Sequence, residues 1–210
     1  MLITPDKIRE IVGLSVDEAP DTEIEPHIER AQRELLYDIA IRVEEDVLSG
    51  SINGTNKTFE VTYYPIADSN FDGQIDKHDI TIYAWKEEDK PNTKIEFTAS
   101  TVYPEYGIIV LNTAPGTQYV QLTADYFYYP REIDMELMKE ACAYLAGYYY
   151  ILREYCLIPE QLYHGALRLR YVKPYMVLLD EYYRIRDILL SMPYAKGEHE
   201  EPEQIREELG

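Results

Sequence analysis

The chain has 210 residues, 46% hydrophobic and 28% charged, with 20 Lys+Arg against 39 Asp+Glu and a formal net charge of −19. That length carries one elaborated domain or two small ones with an ordinary buried core. No apolar run reaches the ~18 residues a membrane span needs. The excess of acid excludes a protein that wraps nucleic acid, because phosphate neutralisation needs a basic surface. Met1–Glu10 lacks a basic start and an apolar stretch, so no secretory signal is expected. Two cysteines, Cys142 and Cys156, make no disulfide framework.

The N-terminal part predicts helix. Thr4-Pro5-Asp6 is a start signal, Ile8, Ile11 and Val12 give an apolar face, and Gly13 is placed to stop the turn. An acidic linker with Pro20 follows. Thr22 and Glu25 have capping-box spacing, and Pro26 falls near the first turn, where a missing N–H is tolerable. Ile24, Ile28, Ala31, Leu35, Ile39, Val43 and Val47 then recur at helical spacing, which predicts one long amphipathic helix to about Leu48.

The period changes at Asn53-Gly54. Short β-rich runs alternate with turn residues, and strands are expected at Thr58–Tyr64, Ile80–Lys86, Thr93–Thr98, Gly107–Asn112 and Gln118–Tyr128. Ala114-Pro115-Gly116 reads as the turn of a hairpin between the last two. After Pro130 the helical period returns, through Ile133, Leu137, Ala141, Tyr144, Leu145, Tyr148 and Leu152. Further helix follows at Leu162–Leu169 and from Leu178 to Leu189, broken near Pro174. The fold class is therefore α+β: a helical bundle from residues 1–51 and 131–195, interrupted by a small, mainly antiparallel β-domain at 52–130. Residues 196–210 form an acidic tail with six Glu and few apolar side chains, expected to stay flexible.

The chain holds 21 Tyr and only 4 Phe. Tyr combines a large contact area with a polar tip, which suits either a surface buried against other subunits or the wet edge of an internal core. Arg168, Arg170, Lys173, Arg184 and Arg186 cluster around Asp180 and Glu181. They read as a mixed-charge solvated face or as a patch that docks an acidic partner.

One motif is chemically specific. Residues 68–79 read Asp-Ser-Asn-Phe-Asp-Gly-Gln-Ile-Asp-Lys-His-Asp. With Asp68 as position 1, oxygen ligands fall at Asn70, Asp72, Asp76 and Asp79, with the backbone carbonyl of Gln74 at position 7 and Gly73 at the sharp turn. Alternate side chains at this spacing converge on a hard cation, Ca²⁺ by preference. Asp in place of Glu at position 12 shortens the reach and weakens discrimination against Mg²⁺. Ile75 is expected to anchor the loop in the core and His78 to face solvent. Carboxylates this close repel one another without a cation. The flanks read as strands rather than the helix pair of an EF-hand, so a structural role is expected and a sensor lacks its moving part. Dockerin-type loops resemble this one in having Asp at position 12, but normally carry two copies. His27, His78, His164 and His199 are scattered, no nucleophile or phosphate-binding motif is present, and no enzyme is indicated.

The layout resembles the head–tail connector, or adaptor, proteins of tailed phages and tailed archaeal viruses. The resemblance rests on Thr-Pro-Asp-Lys-Ile-Arg-Glu-Ile-Val-Gly-Leu at 4–14, the helix containing Ile28-Glu29-Arg30-Ala31-Gln32-Arg33-Glu34, and Tyr-Tyr-Arg-Ile-Arg-Asp-Ile-Leu-Leu at 182–190. The stretches Asn53–Phe59 and Pro65–Asp68 resemble β-insertions with calcium loops in some virion proteins. The resemblance implies a virion neck protein assembled in the host cytoplasm. Such a protein forms a homo-oligomeric ring, commonly of twelve, that meets the portal protein on one side and tail or neck proteins on the other. DNA would pass through without being specifically bound, and no membrane is involved. A calcium-stabilised extracellular or cell-surface module, and another virion part such as a tail-completion protein, are the alternatives.

Overall fold

The computed structural model describes residues 1–86, 94–157 and 174–195. Arg168, Arg170, Lys173, the expected helix at Leu162–Leu169, His164, His199, the side chain of Cys156 and the acidic tail 196–210 lie outside the described residues. The fold is α+β, as expected, and the chain divides into two compact units. One holds Met1–Ile39 with Ile133–Met192; the other holds the residues from Ala40 to Glu132 together with those from Pro193. The division thus falls at 39/40 and 132/133, rather than at 51/52 and 130/131.

The helical unit comprises α1 (Pro5–Val12), α2 (Asp21–Ile39), α3 (Met135–Leu157) and α4 (Pro174–Ser191). Proline opens α1 where its missing N–H is harmless, and Gly13 closes it with φ 72°, its N–H donated to the Arg9 carbonyl at 2.8 Å. The apolar stripes meet in a core that includes Ile8, Ile28, Leu35, Cys142, Leu145 and Ile185, all fully buried. Burial pushes the Cys142 thiol up to about 12, so it is protonated and inert at neutral pH.

The tyrosines of this unit have a specific use. Tyr182 is 1% exposed and its hydroxyl donates to Asp38 Oδ2 at 2.6 Å. One turn earlier on α2, Glu34 accepts the hydroxyl of Tyr149, whose ring also lies 3.8 Å from the Arg30 guanidinium. Burial, and then the bond to the carboxylate, raise both phenols above their ordinary pKa. Phe could fill the same volume but would take from each of these acids of α2 the hydroxyl it accepts.

The β unit contains β1 (Ile41–Val47), β2 (Thr58–Glu60), β3 (Ile80–Trp85), β4 (Lys94–Phe97), β5 (Ala99–Tyr103), β6 (Ile108–Leu111) and β7 (Gln121–Tyr128). They form a four-stranded sheet in the order β1-β7-β3-β4 and a three-stranded sheet in the order β2-β6-β5. All the pairings are antiparallel. One apolar cluster, with Phe59, Ile66, Ile82, Ile109, Leu111 and Leu122, draws on both sheets, so the unit is a small sandwich.

Two expectations are corrected. The helix does not run on to Leu48: α2 stops at Ile39 and β1 begins at Ile41. Val43 and Val47 are four apart, a spacing that the helical and the strand period share. β-Branched side chains and pairing with β7 decide for strand. A bulge between Val43 and Asp46 then shifts the register, with Glu45 at φ 56° and its N–H donated to Asp125 Oδ1 at 2.7 Å. The second correction concerns the hairpin. Ala114-Pro115-Gly116 does not join paired strands, because β6 lies between β2 and β5 and β7 between β1 and β3. Both strands are saturated on each edge, so the turn carries the chain from one sheet to the other. The hairpin on this side of the sandwich is β5–β6, turned through Pro104–Gly107.

Candidate metal centre

The loop 68–79 is suspended between two fixed points of the β unit. Before it, Ile66 bridges to Tyr128, and Ala67 donates its N–H to the Phe127 carbonyl at 2.8 Å. After it, Ile80 opens β3, which is paired on both sides, with β7 and β4. Phe71 is 3% exposed and anchors the middle of the loop, while Ile75 packs at the margin of the core. Anchoring by Phe71 was not anticipated; it adopts φ 57°, and Gly73 follows at φ 88°. Two left-handed residues within three positions give the tight reversal that brings both ends of the loop together.

Five of the six expected ligand positions, those that use a side chain, fall into two sets. Asn70, Asp72 and Asp76 each accept, through Oδ1, the N–H two residues on, at 2.8, 2.8 and 2.7 Å respectively. These successive Asx turns hold the three side chains on one curve. Asp68 and Asp79, at 7% and 4% exposure, are the buried pair. Asp79 ties the loop closed: Oδ1 accepts the Ser69 N–H at 2.8 Å and the Ser69 hydroxyl at 3.0 Å, and Oδ2 accepts the Asp76 N–H at 3.0 Å. Asp68 Oδ2 accepts the Gly73 N–H at 2.8 Å. Gln74 is exposed, with its carbonyl at the position the spacing assigns, and His78 faces solvent.

Asp68 Oδ1 is buried and has no hydrogen-bond partner. An unsatisfied buried acceptor costs about 1–3 kcal/mol. Burial holds the Asp68 carboxyl above the ordinary range; the N–H groups of Gly73 and Phe71 oppose this, and the charges of Asp79 and Asp72 add to it. Among the described residues, no three His, Cys, Asp or Glu side chains are grouped in the geometry of a bound ion. Asp79 in particular is committed to backbone and hydroxyl donors. The donor set still fits a hard cation, since it is all oxygen, held in one loop, and contains one buried carboxylate oxygen without a donor.

Of the expected docking cluster, only Arg184 and Arg186 are described. Arg184 is exposed and pairs with Glu181 at 2.7 Å. Arg186 is largely built into the bundle: it reaches Asp38 at 3.6 Å and Asp187 at 2.9 Å, with its guanidinium 4.7 Å from the Tyr183 ring. Around them α4 exposes Met176, Val177, Tyr183, Ile188 and Leu190. Among the described residues, no helix is long and apolar enough to cross a membrane. No protein-family model matches this chain, and none of the curated proteins or solved structures compared with it matches either.

Proposed function

We propose that the protein is a structural virion component, a head–tail adaptor, whose β unit is braced by Ca²⁺ in the 68–79 loop. The supporting observation is the chain's layout. Helices from the N-terminal and C-terminal parts pack into one helical unit, with four helices among its described residues, and the sandwich is inserted between α2 and α3. The helical unit carries the three stretches on which the resemblance to adaptors rests, 4–14, 28–34 and 182–190. In this reading copies of the chain form a ring below the portal and join the DNA-filled capsid to the tail. The net charge of −19 keeps passing DNA from adhering to the ring. The exposed apolar side chains of α4, with Arg184 among them, are the surface offered to the portal or to the next subunit. The protein would act by binding, without catalysis.

The test is to sequence the DNA flanking the gene and to co-express the chain with the encoded portal. Neighbours resembling portal, major capsid and tail genes, and a ring on the portal in electron micrographs, are expected. Neighbours encoding exported enzymes or surface proteins would overturn the adaptor reading and favour a calcium-stabilised surface module.

A further inference from the structure

Helix α4 carries apolar side chains on both of its faces. Tyr182, Ile185 and Leu189 are buried in the helical unit. Met176, Val177, Tyr183, Ile188 and Leu190 point the other way, each 37–49% exposed. The remaining helices of the unit do not share this feature. Among the described residues α3 exposes one large apolar side chain, Met135, α2 exposes Tyr37, and α1 exposes none. A helix that is apolar all round is ordinarily covered on both sides.

The charges on this outer face are arranged as well. Arg186 reaches Asp38 and Asp187, and Arg184 reaches Glu181 in an exposed pair that adds little stability. Asp180 is exposed and makes no ion pair among the described residues. It stands one turn before Arg184. At about 100° per residue, Val177 and Ile188 lie on one flank of the Asp180–Arg184 line, and Met176, Tyr183 and Leu190 on the other. Three acids, Asp180, Glu181 and Asp187, against Arg184 and Arg186 leave α4 nearly neutral on a chain of net charge −19. Two copies that approach through α4 therefore meet where their mutual repulsion is least.

We propose that α4 pairs antiparallel with α4 of a second copy, across a two-fold axis at the level of Tyr182. In that register Asp180 faces Arg184 of the second copy, and the symmetry makes the same contact twice. Val177 comes within one residue of the level of the second Ile188, on the same flank. Met176 and Leu190 approach on the other flank, where the two Tyr183 rings lie beside the axis. One register thus gives every exposed apolar side chain of α4 an apolar neighbour and Asp180 a cation. The helix has 18 residues, a length of about 27 Å. A single pair of such helices covers less than the ~1,600 Å² of a standard interface, so the dimer is weak and depends on concentration. The inference goes beyond the adaptor reading, in which a portal would compete with the second copy for this face.

The experiment is sedimentation of the full chain, without portal, over about a hundredfold range in the micromolar region. A reversible monomer–dimer equilibrium is expected for wild type. Asp180→Arg and Arg184→Asp, each of which sets like charges against one another twice, should each weaken it at least about tenfold. The double variant Asp180→Arg with Arg184→Asp should return it towards the wild-type value, which a loss of fold would not do. Tyr183→Ser, which changes no charge, should weaken the dimer as well and decides the matter should a charge variant fail to fold. A monomer at every concentration overturns the proposal. A dimer indifferent to all these substitutions places the contact elsewhere and overturns it too, and single losses without rescue in the double variant refute the register. Because no portal is present, each of these results leaves the adaptor reading to its own test.

Discussion

Asp72 and Asp79 hold the same type of side chain in the same loop, yet they should fail differently. Asp79 is buried and fastens Ser69 to Asp76, so Asp79→Ala should destabilise the β unit in chelator by about 3 kcal/mol. Asp72 is exposed and holds one Asx turn. Asp72→Ala should leave the chelated protein nearly unchanged and remove only the stabilisation that Ca²⁺ adds, about 2.7 kcal/mol at a hundredfold excess over Kd. Denaturant melts with and without Ca²⁺ check both. A loss in chelator for Asp72→Ala as large as for Asp79→Ala would contradict this division. The candidate positions of the loop were legible because they are contiguous, and a fixed spacing can be read along the chain. Phe71 was not, since it owes its role to the core beneath it.

Among the elements, the strands were read more reliably than their partners. Five strands were expected in nearly the right places, because alternation and turn residues are local. β5 went unread, and β6 was given the wrong neighbour, because pairing depends on which edges remain free once the sheets form. The β5–β6 hairpin supplies a test. Gly107 closes its turn at φ 66°, and a Cβ there would lie 2.8 Å from Val61 Cγ2 and 3.1 Å from Tyr64 Cδ1. Gly107→Ala should cost about 2 kcal/mol through left-handed strain, and the clash adds to that. A melt of the variant within 0.5 kcal/mol of wild type, a margin of about the usual surface-mutation scatter, would show that the turn relaxes. On α4, the two arginines once grouped together now separate. Arg184→Glu should weaken portal capture without loss of fold. Arg186→Glu should loosen the bundle, because it sets a carboxylate against Asp38, which already accepts the Tyr182 hydroxyl. Capture assays paired with thermal melts separate the two outcomes; undiminished capture by Arg184→Glu removes it from the docking surface.

At the scale of the whole molecule, the fold class was legible because the change of hydrophobic period along the chain is plain. The position of the first boundary was not, since Ile39, Val43 and Val47 satisfy both periods and only the presence of β7 selects the strand. The second boundary, near Pro130, was nearly right because a proline and a new helical stripe coincide there. The same topology has a consequence for how such a chain is made and changed. The sandwich begins with β1 and finishes with β7, and these two strands are hydrogen-bonded neighbours, with Ile41 opposite Tyr128. The host helices therefore meet, at this junction, two ends of an insert that already lie side by side. Closing a loop whose ends are held together by its own pairing asks little further entropy of the rest of the chain. An insert anchored in this way is free to lengthen, to shorten or to be exchanged for another without re-routing α2 or α3. The sandwich and its 68–79 loop can then diversify as an appendage while the packing of the helices stays as it is.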